Sequence, residues 1–179
     1  MSIFYRSKRI GQWGKPFLMY KLQTMVEGAD KLGGPSTSGD DPRITPIGKI
    51  LRKFKLDELP QFINVLRGEM AIVGPRPDVP EVVELMTVAE QQTILSIKPG
   101  ITDLASLWDS EEEEMLRGEA DPHRAYLEKI WPIKKALQIW YVENRTWWLD
   151  AKIIAATALR MVRIKAIIDV EKMFPQLMK

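Results

Sequence analysis

Three side chains near the middle of this 179-residue sequence have the chemistry to bind and attack a phosphate group. Asp57 and Glu58 are adjacent acids just before Pro60, and Arg76 lies between two prolines in the stretch GPRP. Carboxylates bind Mg²⁺ and act as nucleophiles, and the planar guanidinium of arginine matches two phosphate oxygens at once. With a basic helix upstream, these residues indicate a site for a metal-bound diphosphate.

Each feature also has a purely structural interpretation. Proline fits the first turn of a helix and disfavours helical geometry in the residue before it. We therefore expect the two acids at or just before the N-terminus of a helix over residues 61–66, where Asp57 would be the N-cap and Glu58 an early-turn acid. The GPRP stretch would then be a stiff turn with a solvated arginine. The acidic pair alone favours this structural interpretation, and its combination with Arg76 and the basic helix favours chemistry.

The segments before the dyad are predicted to position it. Residues 1–25 contain two aromatic-rich segments of alternating pattern on either side of the glycine-containing stretch Gly11 to Lys15. This arrangement predicts a β-hairpin. Residues 33–43 are rich in Gly, Pro, Ser and Asp, and we expect a mobile surface loop. Thr45 and Pro46 then predict an N-cap and the first position of a helix. That helix delivers positive charge toward the dyad, and Arg52 is a candidate phosphate ligand among its basic residues, Lys49, Arg52, Lys53 and Lys55.

Composition excludes several classes of site. The chain has no cysteine and one histidine, which excludes disulfides, thiol nucleophiles and multi-histidine metal sites. Its formal net charge of +2 hides an uneven distribution: residues 1–55 carry eleven Lys or Arg against four acids, whereas Glu111 to Glu114 form an acidic run. A basic first third points to an anionic partner. No nucleic-acid-binding module is visible, so we expect no nucleic-acid partner.

The sequence predicts one α+β domain over residues 1–179, mainly helical, with an N-terminal hairpin and a C-terminal amphipathic helix. Basic residues near the start interrupt the apolar segment that a signal peptide needs. No stretch reaches the roughly 20 apolar residues of a membrane-spanning helix. Residues 147–175 form an amphipathic tail with basic residues, which fits an interfacial helix or an ordinary core helix. Trp131, Trp140 and Trp147 likewise fit a membrane-interface belt or simple packing.

In order and spacing, LDELPQ, NVLRGEMAIVGPRP, KPGIT and YVENRTWWLD resemble the bacterial sugar transferase family, the monotopic polyprenol-phosphate phosphoglycosyltransferases. The resemblance extends from about Ile3 to about Thr157. It implies that residues 45–77 form the catalytic and phosphate-binding core. Family members carry an apolar re-entrant membrane helix before the segment that IFYRSKRIG matches, so we expect this chain to lack that anchor.

The resemblance implies transfer of a sugar phosphate from a UDP-sugar to polyprenol (undecaprenyl) phosphate, initiating exopolysaccharide, O-antigen or another glycan. Asp57 would be the nucleophile of a phosphosugar-aspartate intermediate, and Glu58 would hold Mg²⁺. Arg76 and Lys21 match phosphate-binding positions. The implied location is the surface of the bacterial inner membrane, at its cytoplasmic face. The resemblance leaves open whether the protein forms a homo-oligomer.

Some residues depart from the family pattern. Asp103 follows KPGIT where glycine is commoner, and it either acts in the sugar pocket or caps a turn, the latter being favoured. Gln138 stands where many members have aspartate, and Gln23 replaces a usual basic residue. The alternative function is a soluble, anchorless paralogue that binds a nucleotide sugar, or a partner glycosyltransferase, without turnover.

Overall fold

The computed structural model describes residues 3–32, 37, 41–108, 115–161 and 169–175. Helices dominate, and two small sheets of two strands each accompany them. This arrangement confirms the predicted α+β class. Within the described ranges, no helix is both long enough and apolar enough to cross a membrane.

The N-terminal hairpin is confirmed. Strand β1 (Phe4–Ile10) pairs antiparallel with β2 (Pro16–Leu22), so that Phe4 lies opposite Leu22 and Tyr5 opposite Lys21. A 3₁₀ turn at Gln12–Gly14 closes the loop within the predicted turn segment. The second strand of the hairpin carries Lys21, one of the predicted site residues.

Two short helices follow, α1 (Ala29–Leu32) and α2 (Pro46–Lys53). The predicted N-cap is confirmed, because the Gly48 N–H donates to Thr45 Oγ1 at 3.0 Å. A β-bridge between Met25 and Ile44 joins the hairpin to the start of α2. In the predicted loop, residues 33–36 and 38–40 lie outside the described residues, and its mobility stays a prediction.

The middle of the chain alternates short helices and strands. The dyad lies on a 3₁₀ turn at Leu56–Glu58. The elements after it are α3 (Gln61–Leu66), β3 (Ala71–Val73), α4 (Pro80–Val83), α5 (Val88–Ile94), β4 (Gly100–Thr102) and α6 (Leu104–Trp108). Helix α3 confirms the helix predicted after the dyad.

A close glycine contact joins strands β3 and β4, which pair in parallel with Ala71 opposite Gly100. A Cβ atom on Gly100 would lie 2.1 Å from the backbone nitrogen of Gly74. A Cβ atom on Gly74 would lie 2.5 Å from the carbonyl oxygen of Lys98. Only glycine permits such an approach of two backbones. The GPRP segment is therefore held directly against the start of β4.

The C-terminal part is helical. It comprises α7 (Pro122–Ala125), a π-helical turn (Tyr126–Ile130), α8 (Trp131–Asn144), α9 (Trp147–Met161) and α10 (Val170–Met173). Helix α9 is amphipathic: Ile153 is fully buried and Ile154 is exposed. Part of the predicted tail, residues 162–168, lies outside the described residues, as does the acidic run Glu111 to Glu114.

Two apolar clusters fill the interior. One packs β3, α6, α8 and α9 around Leu104, Leu137 and Ile153, and the other packs α4, α5 and α8 around Met86 and Ile130. Both clusters contain side chains from helix α8. Helix α8 thus joins the two clusters, and its Gln138 donates to the Arg76 carbonyl in the GPRP segment.

The three tryptophans divide between the two interpretations. Trp131 is buried, and Trp140 packs edge-on against Phe174 with ring centroids 4.8 Å apart. Packing therefore explains both of these residues. Trp147 is 67% exposed and stacks on Trp148. An interfacial belt made of all three tryptophans is thus wrong, and only Trp147 stays available to a surface partner.

Candidate active site

The predicted dyad lies at a sharp turn between two helices. Helix α2 ends at Lys53, and Lys55 adopts a left-handed backbone (φ 55°), a conformation that non-glycine residues rarely take. This reversal places Asp57 and Glu58 just before α3, as expected. Helix α3 receives no side-chain cap from Asp57, so the simple N-cap interpretation does not account for the acid.

Glu58 is the centre of a charged cluster. Its Oε2 accepts from Arg76 Nη1 at 3.1 Å, and its Oε1 accepts from Arg76 Nη2. Lys21 Nζ also donates to Oε1, at 3.1 Å. All three side chains are largely buried, with between 14% and 22% of their surface exposed. The fold thus brings together three of the predicted site residues that are distant in the sequence.

Asn64 explains why Lys21 reaches the dyad. This fully buried amide on α3 accepts from the Tyr20 N–H at 3.1 Å and donates to the Leu18 carbonyl at 2.8 Å. It also donates to Glu69 Oε2 at 2.7 Å. A single side chain therefore fastens strand β2 to helix α3. Lys21, one residue beyond Tyr20, is carried beside Glu58 as a result.

The GPRP segment presents Arg76 from the opposite side. The Gly74 N–H donates to the Thr102 carbonyl at 3.1 Å, and the Gly100 N–H donates to the Pro75 carbonyl at 3.0 Å. Proline on each side restricts the backbone further. Arg76 is therefore held in place before any ligand arrives, which lowers the entropic cost of binding one.

The charges in the cluster shift one another's protonation. Burial opposes ionisation of Glu58, but Arg76 and Lys21 together outweigh it and hold the pKa of this carboxyl well below its usual range. Burial lowers the pKa of Lys21 despite the opposing effect of Glu58. Glu58 is consequently a carboxylate at every physiological pH.

The low pKa of Glu58 predicts acid sensitivity. The usual pKa of glutamate is about 4.5, so below that pH the carboxyl is protonated in the unfolded chain but stays ionised in the folded chain. The free energy of unfolding therefore decreases as the pH falls. We expect the free energy of unfolding to drop between pH 5 and pH 2 by about 2 kcal/mol more in the native protein than in Glu58→Gln. Urea unfolding at a series of pH values measures this difference.

The matched control is Glu128→Gln. Glu128 pairs with Arg124 on the surface, where its side chain is 56% exposed, and such pairs contribute little to stability. If Glu58→Gln and Glu128→Gln gave the same pH dependence as the native protein, the ion pairs of Glu58 would not contribute to stability as described.

Asp57 differs from Glu58 in having a side-chain oxygen without a hydrogen-bond partner within the described residues. The side chain is 6% exposed, and among the described residues Oδ1 receives no hydrogen bond. Gln61, fully buried one turn later, also has both side-chain polar atoms without partners within the described part of the chain. Burying polar atoms without hydrogen bonds costs free energy. Such orphaned atoms are typical of a site that is completed by a ligand.

Further charged residues lie near Arg76, namely Arg9, Asp78 and Lys134. Arg9 Nη1 lies 3.5 Å from the Pro77 carbonyl, and burial, with a smaller contribution from Arg76, lowers the pKa of Arg9. Burial raises the pKa of Asp78, although Lys134 and Arg9 oppose this. Lys134 itself is 7% exposed and lies over the Tyr126 ring. The candidate site thus continues into a buried electrostatic network.

Arg52 has a different environment from the other predicted phosphate ligands. Its Nε donates to Thr24 Oγ1 at 2.9 Å, and its charge helps to lower the pKa of Asp41, after the larger effect of Arg43. These contacts tie α2 to the segment after β2. A role for Arg52 in phosphate binding stays a prediction.

The donor set fits a magnesium ion that is shared with a substrate. Among the described residues there is no group of three or more acids or histidines that could hold a metal alone. Mg²⁺ is commonly held by one or two carboxylates together with substrate phosphates and water. Asp57 offers Oδ1, which has no hydrogen-bond partner within the described residues, and Glu58 keeps one lone pair on Oε2 beyond those used by Arg76 and Lys21.

Sequence reasoning missed several residues of the site. No motif marks Asn64, Gln61 or Asp78 individually. A polar residue within the apolar pattern of α3 could have indicated Gln61 and Asn64. Asp103 and Gln138 stood out only as departures from a family pattern. Asp103 does cap the turn that begins α6, since its Oδ1 accepts from the Ser106 N–H at 2.7 Å.

Comparison with known proteins relates the whole arrangement to one family. The profile of the family described as bacterial sugar transferase matches residues 1–164. An uncharacterized sugar transferase EpsL of Bacillus subtilis is 34% identical over 89% of this chain and 70% of its own length. The exopolysaccharide production protein ExoY of Sinorhizobium fredii is 42% identical over 58% of this chain and 52% of its own length.

A third relative carries an enzymatic name. The UDP-glucose:undecaprenyl-phosphate glucose-1-phosphate transferase of Escherichia coli is 37% identical over 88% of this chain. The match covers 32% of that longer protein. This chain therefore corresponds to one part of some of its relatives and to most of the length of others.

Proposed function

Because the chain belongs to the bacterial sugar transferase family, we propose that it transfers a sugar phosphate from a UDP-sugar to undecaprenyl phosphate in the synthesis of an exopolysaccharide or related glycan. One observation carries the proposal from the family to these residues. Asp57 has a buried oxygen without a hydrogen-bond partner among the described residues, and it directly precedes Glu58, which pairs with Arg76 and Lys21; this arrangement suits a nucleophile next to phosphate-binding charges.

In the first step, a carboxylate oxygen of Asp57 attacks the phosphorus that bears the sugar. A bond forms between this oxygen and the phosphorus, and the bond from the phosphorus to the bridging oxygen of the diphosphate breaks. The bridging oxygen leaves with UMP. The sugar phosphate is then joined to Asp57 as an acyl phosphate, a covalent intermediate that divides one difficult transfer into two easier ones.

In the second step, a phosphate oxygen of undecaprenyl phosphate attacks the same phosphorus. The bond between the phosphorus and Asp57 breaks, which restores the carboxylate. The product is undecaprenyl diphosphate carrying the sugar. Both steps need the same stabilisation of negative charge on the phosphoryl oxygens, so one set of cations serves both.

Arg76 and Lys21 supply that stabilisation. Glu58 pairs with both cations, and its single negative charge offsets part of their two positive charges. A diphosphate presents paired oxygens to the arginine fork as the Glu58 carboxylate does, so substrate binding would exchange one set of charged hydrogen bonds for another. Glu58 and Asp57 would hold Mg²⁺, which supplies charge neutralisation to the diphosphate when bound.

An exposed apolar face lies beside the dyad and would suit an acceptor that is a lipid. Helix α2 and the segment through α3 each expose one apolar stripe, formed by Ile47, Ile50 and Phe54 and by Leu59, Phe62, Ile63 and Leu66. Leu66 is 89% exposed. Exposed basic residues surround the stripes, namely Lys49, Lys53, Lys55 and Arg67. Such a face suits the interface of an anionic membrane, at the cytoplasmic side where we place the protein.

Substitutions on this face are expected to weaken membrane binding. Phe62→Ser and Leu66→Ser should each lower partitioning onto vesicles of anionic phospholipid about tenfold, because each removes roughly 1.5 kcal/mol or more of apolar burial. Sedimentation with vesicles measures the partitioning. Leu85→Ser and Val88→Ser change exposed apolar residues elsewhere, whose exposures of 57% and 71% lie between those of Phe62 and Leu66, and serve as controls. Equal losses from all four variants would exclude a specific membrane-facing surface on α2 and α3.

The direct test of the function is release of UMP from a panel of UDP-sugars with Mg²⁺, with and without detergent-dispersed undecaprenyl phosphate. We expect acceptor-dependent release from at least one donor, which also identifies the sugar. Binding of a UDP-sugar by the folded protein without any release would favour the alternative of a binding protein without turnover.

A further inference from the structure

The backbone of Arg76 is held from two directions by side chains that lie outside the dyad. Its N–H donates to Asp103 Oδ2 at 3.1 Å, and its carbonyl accepts from Gln138 Nε2 at 3.3 Å. Gln138 Nε2 also lies 3.4 Å from Asp103 Oδ2, so the two side chains support each other. Both backbone polar groups of Arg76, whose guanidinium pairs with Glu58, are therefore hydrogen-bonded to buried side chains.

Asp103 does more than an N-cap requires. Its Oδ1 caps helix α6 through the Ser106 N–H, and serine or threonine would perform that role equally well. Asp103 is nevertheless fully buried, and burying a carboxylate is costly unless hydrogen bonds compensate. The second oxygen receives that compensation from Arg76 and Gln138. Only a carboxylate can accept at the helix start with one oxygen and at the GPRP backbone with the other.

Gln138 is the matching half of this arrangement. It lies on α8, is 2% exposed, and its amide nitrogen supplies two hydrogens, enough for both the Arg76 carbonyl and Asp103. A carboxylate at position 138 would face Asp103 without a proton to donate. The amide at 138 therefore suits a carboxylate at 103.

We propose that Asp103 and Gln138 are positioning residues that fix the direction in which Arg76 presents its guanidinium to the substrate diphosphate. This inference rests on the proposed function of Arg76 and extends it to two residues that touch no substrate. The side chain of Arg76 also donates to the carbonyl of Ile101 in β4 at 3.3 Å, two residues before Asp103, so one short segment contacts both the backbone and the side chain of Arg76.

The principal test is Asp103→Ser, which keeps a cap for α6 and loses the reach to Arg76. We expect kcat/KM for the UDP-sugar to fall about 10- to 100-fold, since small displacements of a positioning group have effects of this size. Asp121→Ser is the matched control, because Asp121 caps α7 through the His123 and Arg124 N–H groups. It should stay within about twofold of the native protein.

Epistasis with Arg76 separates positioning from a general loss of structure. In an Arg76→Ala background, Asp103→Ser should cost less than about twofold, because no guanidinium is left to aim. An equal loss in both backgrounds would overturn the proposal. Gln138→Met, which keeps the volume and removes the donor, provides a second variant with a smaller expected loss of about 3- to 10-fold.

Amide hydrogen exchange tests the clamp without any enzymatic assay. In Asp103→Ser, the Arg76 amide should exchange about tenfold or more faster, while the Gly74 and Gly100 amides, bonded within the β3 and β4 region, keep their rates. Unchanged exchange at Arg76 would overturn the proposal. If the native protein released no UMP from any donor, the proposed function would fail, and the exchange rates would still decide whether Asp103 holds Arg76.

Discussion

Replacing Asp57 with asparagine is expected to lower the rate of UMP release by about 10³-fold or more while leaving the fold intact. The amide cannot form the bond to phosphorus that the carboxylate forms, and removing a nucleophile commonly costs this much or more. The measurement is acceptor-dependent UMP release with the donor that the native protein uses. Asparagine is nearly isosteric with aspartate, so the geometry of Glu58, Arg76 and Lys21 should persist.

Stability separates this effect from unfolding. Because Asp57 Oδ1 is buried without a hydrogen-bond partner in the described part of the chain, the substitution breaks no hydrogen bond at that oxygen. We expect the free energy of unfolding of Asp57→Asn to match that of the native protein within about 0.5 kcal/mol, or to exceed it. Asp121→Asn is the control, as an exposed cap that asparagine replaces well. Retained UMP release in a folded Asp57→Asn protein would show that another group is the nucleophile.

Replacing Arg76 with alanine is the second large effect that we expect. Loss of one preorganised donor to a developing charge commonly lowers the rate by 10²- to 10³-fold, and we expect kcat/KM for the UDP-sugar to fall by about this factor. Arg76→Lys should recover only part of the loss, because a lysine ammonium lacks the planar fork that contacts two oxygens. Steady-state kinetics with varied UDP-sugar measures both variants.

Arg76→Ala also removes the stronger of the two partners of Glu58. We expect the free energy of unfolding to fall by about 1–3 kcal/mol, since a mostly buried carboxylate loses charged hydrogen bonds. Arg124→Ala, which removes an arginine that is 74% exposed and pairs with Glu128, is the matched control. Full activity of Arg76→Ala would remove Arg76 from the site and, with it, the role inferred for Asp103 and Gln138.

Local signals predicted much of the frame. The alternating residues around Gly11, the Thr45 cap and the helix after Pro60 are all encoded within a few positions of the chain, and the structure confirms each of them. The dyad was located in the same way, because proline restricts its immediate neighbours.

The convergence of Lys21, Glu58 and Arg76 lay beyond local patterns. Strands β3 and β4 have three residues each, too few to establish a period, and their parallel pairing joins residues about 30 positions apart. The Asn64 bridge to β2 is equally non-local. Residue types had suggested that Arg76 serves the same site as the dyad, and the resemblance to a family added Lys21, but neither contained the contacts that bring these segments together.

Aromatic residues show the same limit. A tryptophan in an amphipathic helix fits a buried or an interfacial position equally well, and the choice depends on what packs opposite. Phe174, from the far end of the chain, covers Trp140, whereas Trp147 at the start of α9 stays exposed. Burial was therefore decided by tertiary contacts that the helix pattern does not contain.

The most direct test of the central claim is the intact mass of the protein after incubation with its UDP-sugar and Mg²⁺ without acceptor, quenched in acid. We predict a gain equal to one sugar phosphate on the native chain, with the added group located on the peptide that contains Asp57. The gain should be absent in Asp57→Asn and disappear from the native protein when undecaprenyl phosphate is added. An active protein that releases UMP only with acceptor present, and never carries the added mass, would contradict the account.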